Sequence, residues 1–213
     1  MTRLLVATRN PGKVRELGRL LAGLGGGWEV AGLEELEIPE TPEEDALEAF
    51  ETFEANALAK ARHFAAITCL ATLADDSGLE VEALGGAPGV RSRRFAAPEA
   101  ARGEGQDEAN KRRLLELLAD TPDPERTARF VCAAALVRPD GKELVRTGSL
   151  AGRIARAPRG GGGFGYDPLF LLPEEGRTLA ELSAERKNAL SHRGRAVRAI
   201  AEALRIDGDA PAP

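Results

Sequence analysis

Cysteine, aromatic residues, an excess of basic charge and long apolar runs are all scarce in this 213-residue chain. Two cysteines, Cys69 and Cys132, exclude a disulfide framework, and without a paired Cys/His spacing they exclude a structural zinc site. Both lie in apolar runs and are expected to be buried strand residues. Aromatics make up 4% of the chain, and 29 Lys plus Arg stand against 34 Asp plus Glu, a net charge of -5. That balance excludes a nucleic-acid surface with a basic stripe and stacking platforms. A local cation cluster can still bind a small anion. The longest apolar stretches are strand-sized, and the start MTRLLVATRN turns polar within a few residues. No membrane span and no secretory signal are expected, which makes the cytoplasm the default compartment. At 43% hydrophobic, the chain has material for a full core, as one large domain or two small lobes.

What is present centres on ITCLATLADDSGLEVEAL, Ile67 to Leu84. An apolar run precedes the pair Asp75 and Asp76, and Leu79, Val81 and Ala83 then alternate with Glu80 and Glu82, the period of a half-buried strand. Ser77 and Gly78 allow a turn, so the acids are expected at a turn. Two adjacent carboxylates there need solvent, a cation or a metal. The four residues are also ordinary turn formers, and a solvated hairpin turn fits them equally well.

In chain order, Leu4 to Ala7 predicts a short strand, then the loop TRNPGK and a helix with Val14, Leu17, Leu20 or Leu21, and Leu24 on its apolar face. Asn10 suits the N-cap and Pro11 the first helical position, and Gly25 to Gly27 stop the helix. Lys13 then lies in the first turn, where a cation opposes the helix dipole. A phosphate on free helix-start amides would resolve that conflict; a lysine pointing into water is the alternative. Gly12 and Lys13 are not a Walker loop, since Ala7 and Val14 replace its first Gly and its Ser or Thr.

Trp28 to Ile38 predicts a second strand and its approach. Thr41, Pro42, Glu43 and Glu44 form a capping box that opens a long helix through Phe50, Phe53, Ala57, Lys60 and His63. Glu44 has a structural role as the capping residue, yet Glu44 and Glu48 are four apart on one helix face and could present a carboxylate to a metal shared with Asp76. His63 reads as a half-exposed helix residue rather than a ligand. Arg91, Arg93 and Arg94 follow in a Gly/Pro loop, as charge compensation or as contacts to an anion. Asn110 to Ala119 predicts an amphipathic helix. Thr127 to Arg138 and Lys142 to Ile154 predict a hairpin joined by PDG, with Cys132, Ala134 and Leu136 on one side. Four glycines then lead into FGYDP and the strand Leu169 to Leu172. Phe164 either stacks on a flat base or plugs the core. Thr178 and Glu181 cap a short helix, and Ser191 caps the last one, whose buried face is Val197, Ile200 and Leu204. Lys187, His192 and Arg193 cluster around that junction, as base or phosphate contacts or as a solvated group.

The segments ATRNPGK, TFEANALAKAR, ADDSGLEVEALGGAPGVRSRRF, GGFGYDPLF and ERKNALSHRGRA occur in order across nearly the whole chain. Together they closely resemble the inosine triphosphate pyrophosphatases, which remove non-canonical purine nucleoside triphosphates. The resemblance implies a single domain over residues 1–213, of α/β class, with a long mixed sheet and a cleft between two lobes, assembled as a homodimer. It implies Mg2+-dependent hydrolysis of dITP, ITP and XTP to the monophosphate and pyrophosphate, with no nucleic-acid or membrane partner. Carried over by motif, Asp76 is the catalytic acid-base and metal carboxylate, with Asp75 beside it and Ser77 on the substrate. Thr8, Arg9, Asn10, Pro11, Gly12 and Lys13 hold the triphosphate with Lys60, and Phe164, Gly165, Tyr166, Asp167, Lys187, His192 and Arg193 form the nucleoside pocket. The family's Glu-Glu-Thr-Gly stretch is replaced here by EEDALEAFE, and its Glu before Asn56 by Ala55. The second metal carboxylate is therefore Glu44 if residues are inserted and Glu48 if they are not. Alternatives are a pyrophosphatase for modified pyrimidine triphosphates and a nucleotide-binding regulator without hydrolysis.

Overall fold

The computed structural model describes residues 2–23 and 28–206. Its elements run β1 (Thr2–Val6), α1 (Pro11–Gly23), β2 (Trp28–Gly32), α2 (Phe53–Thr68), β3 (Ala71–Val81), α3 (Gln106–Leu117), β4 (Thr127–Val137), β5 (Glu143–Ile154), β6 (Phe170–Leu172), β7 (Arg177–Thr178), α4 (Ala184–Leu190) and α5 (His192–Ile206). Among the described residues the strands form one mixed sheet, in the order β2-β1-β3-β4-β5-β6-β7, flanked by helices. β1 pairs in parallel with β2 and β3, whereas β6 is antiparallel to β5 and β7. The α/β class expected from the sequence is the one observed. The chain divides into two compact units, the first through Asp76 with Cys132–Gly148 and the segment from His192, the second Ser77–Val131 with Ser149–Ser191.

In the first unit, Leu4, Leu5 and Val6 are buried, as suits a parallel strand covered on both faces. Leu4 and Val6 share a core with Leu17, Leu20 and Leu21 of α1, Leu73 of β3, Cys132, Ala134 and Leu136 of β4, and Val197, Ile200 and Leu204 of α5. Asn10 caps α1: its Oδ1 accepts the amides of Gly12 at 2.8 Å and Lys13 at 3.2 Å. The helix stop assigned to Gly25–Gly27, and Leu24 on the apolar face, lie outside the described residues.

Three expectations change here. β3 runs unbroken from Ala71 to Val81, so Asp75, Asp76, Ser77 and Gly78 are strand residues rather than a turn. Their local turn preference gives way to burial and to cations from distant parts of the chain. The single long helix is two: the Thr41–Glu44 capping box opens a 3-10 segment, Pro42–Glu48, and α2 starts separately behind its own cap, Thr52. At three residues per turn, Glu44 and Glu48 lie about a third of a turn apart instead of on one face. Cys69 is no strand residue either; it is exposed and ends α2 in the left-handed conformation at φ 56°.

The second unit packs Leu79, Val81, Leu114, Leu118, Phe130, Tyr166, Leu169, Phe170 and Leu179 into its own core. The Tyr166 hydroxyl donates to the Ser92 carbonyl at 2.9 Å, and the Asn110 side chain donates to the carbonyls of Ser92 and Arg93. Ser92 is buried in a 3-10 turn, Gly89–Arg94, whose three arginines are exposed. Thr178 and Glu181 form the expected capping box.

Candidate functional site

Asp75 and Asp76 follow each other along β3, so strand alternation sends their side chains to opposite faces. Asp75 is 1% exposed. Its Oδ2 meets Lys13 Nζ at 3.0 Å and Arg193 Nε at 3.0 Å, and Arg193 Nη1 reaches Glu16 at 2.7 Å. Burial alone would push the Asp75 carboxyl up, but Lys13, Arg193 and Lys60 more than offset it and hold it well below the usual carboxylate range. Burial opposes the Arg193 charge in turn, and Asp75 and Glu16 hold its pKa above the ordinary arginine value. Burial, with Asp75 adding to it, raises the nearby Cys132 thiol, which keeps it protonated and inert.

On the other face, Asp76 Oδ2 accepts from the Asn56 amide at 2.8 Å, while Oδ1 lies 3.4 Å from Lys60 Nζ. Asn56 is itself fixed, since its Oδ1 accepts the Phe50 amide at 3.0 Å. Lys60 Nζ also reaches Glu48 at 3.2 Å and the Asp75 carbonyl at 2.8 Å. Burial would lower the Lys60 pKa, but Asp76, Glu48 and Asp75 raise it above the usual lysine value. Glu48 and Asp76 thus converge on one cation.

Glu44 is engaged elsewhere. Its carboxylate binds Arg9 at 2.6 and 3.0 Å and accepts the Thr41 amide at 3.2 Å. The hydrogen bond from Arg9 is the main cause of its lowered pKa. Arg9 also donates to the carbonyls of Ile38 and Pro39, so it clamps the 38–44 segment onto the loop after β1. The amides of Gly12 and Lys13, expected to be free for phosphate, are taken by Asn10, and Thr8 Oγ1 accepts the Asn10 amide at 3.2 Å. What that helix start offers an anion is the Lys13 side chain. His192 is buried at the start of α5, beside Arg193.

Within the second unit, Asp167 is the hub of the glycine loop. Its Oδ2 accepts the Phe164 amide at 2.9 Å and pairs with Lys187 Nζ at 2.7 Å. The same ammonium stands 4.8 Å from the centre of the Phe164 ring. Gly165 donates its amide to Asp107 at 3.0 Å. Burial, reinforced by Asp107, raises the Tyr166 hydroxyl pKa and keeps it a neutral donor. Ser77 is half-buried on β3.

Sequence reasoning did not single out Glu16, Asn56 or Asp107. Glu16 carried a signal: it is a charged residue in helical phase with Lys13, Leu17 and Leu20, on the face that must be buried. Asp107 acts through a contact distant in sequence and carried none, and Asn56, although inside the TFEANALAKAR segment, bonds to Asp76, 20 residues away, a contact that no local pattern reveals.

Among the described residues, no group of three or more His, Cys, Asp or Glu side chains is placed to hold a metal ion. The hard-oxygen donors on one centre are Glu48 and Asp76. Two carboxylates fit Mg2+, which retains waters and takes phosphate oxygens, better than an ion that needs an all-protein cage.

The model of the Ham1 family matches residues 4–203. The dITP/XTP pyrophosphatase of Geobacter sulfurreducens is 50% identical over 208 residues, covering 98% of this chain and 99% of that protein. Its counterpart in Symbiobacterium thermophilum is 49% identical over 202 residues, covering 95% and 94%. Among solved structures, a HAM1 protein from Coxiella burnetii superposes with a TM-score of 0.79 at 39% identity, covering 96% of this chain and 98% of that one. A nucleoside-triphosphatase described as a dITP/XTP pyrophosphatase, from Mycobacterium abscessus, gives 0.68 at 47% identity, covering 93% and 98%.

Proposed function

This chain belongs to the Ham1 family, and on that premise we propose that it hydrolyses dITP, XTP and ITP to the nucleoside monophosphate and pyrophosphate, clearing non-canonical purines from the nucleotide pool. The observation that carries the chemistry is the convergence of Glu48 and Asp76 on one cationic position, with Asn56 fixing the Asp76 carboxylate. Glu48 rather than Glu44 is the second metal carboxylate in this reading, because Glu44 is committed to Arg9 and to its capping box. Mg2+ held there would neutralise phosphate charge and polarise the α-phosphoryl group.

The chain's own residues do the rest. Asn56 holds one Asp76 oxygen, which aims the carboxylate to orient and deprotonate the water that attacks the α-phosphorus. Lys13 and Lys60 bind phosphate oxygens, so the leaving pyrophosphate departs already neutralised. Asp75, with Lys13, Arg193 and Glu16, anchors the charges behind the site. In the second unit, Phe164 offers a stacking face, and Lys187, oriented by Asp167, donates to the 6-keto oxygen of hypoxanthine or xanthine. A 6-amino group cannot satisfy that donor. The family resemblance also carries a homodimeric assembly and a cytoplasmic location into this reading.

The test is pyrophosphate release from ITP, dITP, XTP, GTP, ATP and dUTP, with Mg2+ and with a chelator. Release confined to ITP, dITP and XTP and abolished by the chelator is the expected result. Release favouring dUTP would move the substrate to pyrimidines, and release from none of them would leave a binding protein.

A further inference from the structure

Lys60 is 8% exposed, yet its ammonium touches two carboxylates and a carbonyl, at 3.2 Å from Glu48, 3.4 Å from Asp76 and 2.8 Å from the Asp75 oxygen. The two carboxylates are the donors assigned above to the metal. Resting on the pyrophosphatase reading, we propose that Lys60 is a built-in competitor for the metal: it holds the position between Glu48 and Asp76 in the nucleotide-free protein, and Mg2+ enters only when a triphosphate draws the lysine away.

The competition is electrostatic. One ammonium leaves the Glu48–Asp76 pair with about one negative charge, and a divalent ion arriving with Lys60 in place meets a like charge a few ångströms away in a poorly solvated site. Lysine carries a compact charge on a flexible four-carbon stem, so it can leave without backbone movement. A triphosphate supplies both what the lysine needs, an anion to move to, and what the metal needs, oxygens to complete a shell that two carboxylates leave short. Metal and nucleotide therefore bind as one unit. The protein is spared an idle Mg2+ held before substrate arrives, and the charge of Glu48 and Asp76 is half compensated in the meantime. A lysine that served only as a structural counter-ion would stabilise the fold without setting metal affinity.

Calorimetric titration of Mg2+ and Mn2+ into the full-length, nucleotide-free protein separates these roles. Wild type is expected to bind in the millimolar range or weaker. Lys60→Met and Lys60→Gln are each expected to bind Mg2+ at least about tenfold more tightly, despite lower melting temperatures. Adding Glu48→Gln to Lys60→Met should remove the gain. Lys60 variants that bind no more tightly than wild type would overturn the proposal. So would micromolar Mg2+ binding by wild type without nucleotide, an arm that needs no variant to fold. Pyrophosphate release by wild type from Mg2+-ITP, run beside it, tests the pyrophosphatase reading on its own; if release were absent, the titrations would still decide whether Lys60 competes with the metal.

Discussion

Asp75 and Asp76 are adjacent in the chain, share Lys60 as a neighbour, and send their carboxylates to different partners. The Asp75 carboxylate meets the buried cations Lys13 and Arg193, whereas the Asp76 carboxylate meets Asn56, which fixes one of its oxygens, and Lys60. Asp76→Asn should therefore lower pyrophosphate release by about 10²- to 10⁴-fold, the usual worth of a general base, while the melting temperature changes by only a few degrees. A steady-state assay and a thermal melt on the same preparation check both halves. Retained turnover would remove Asp76 from the chemistry.

At the scale of elements, the glycine loop and the strand β3 show what a sequence can and cannot disclose. The β1–α1 loop, the Thr41 and Thr178 capping boxes and the β4–β5 hairpin were legible because their signals are local: a cap lies within four residues of the amide it satisfies. The course of β3 was not, because Asp-Asp-Ser-Gly forms a turn unless something distant compensates the acids, and Lys13, Lys60 and Arg193 come from three other parts of the chain. The break before α2 was missed for a related reason. It is held by the Asn56 side chain bonding back to the Phe50 amide, which no helical period reveals. The candidate site was legible as motifs, and the division of labour among its charges was not. In the glycine loop, Gly163 has φ 77°, and a side chain there would collide with the Asp167 carboxylate. Gly163→Ala adds a left-handed penalty of about 1–2 kcal/mol and displaces the hub that orients Phe164 and Lys187, so KM for ITP should rise about tenfold or more with a smaller change in kcat. Gly161→Ala, where a Cβ meets nothing within 4 Å, should leave both constants unchanged.

For the whole molecule, the buried charges make stability depend on acid. The Asp75 pKa is depressed in the folded state, so its contribution is fully present above the unfolded carboxylate value of about 3.9 and is lost as pH falls through and below it. Urea unfolding from pH 7 to pH 3 should show wild type losing stability towards the acid end. Asp75→Asn, which leaves Arg193 and Lys13 without their shared anion, should start about 3 kcal/mol lower at pH 7 and lose less on acidification. Equal acid slopes for the two proteins would show that the loss comes from other groups. The first unit is also discontinuous along the chain: its helix α5, with Arg193 and the core residues Val197, Ile200 and Leu204, is separated from β1 and α1 by most of the sequence. During synthesis on the ribosome, Asp75 and Glu16 are made long before the guanidinium that neutralises them. A nascent chain halted ahead of His192 holds two acids with no arginine between them and an apolar sheet face that lacks its last covering helix. The charge centre on which the site depends is thus completed only once α5 has been made, in the same step that closes the first unit's core.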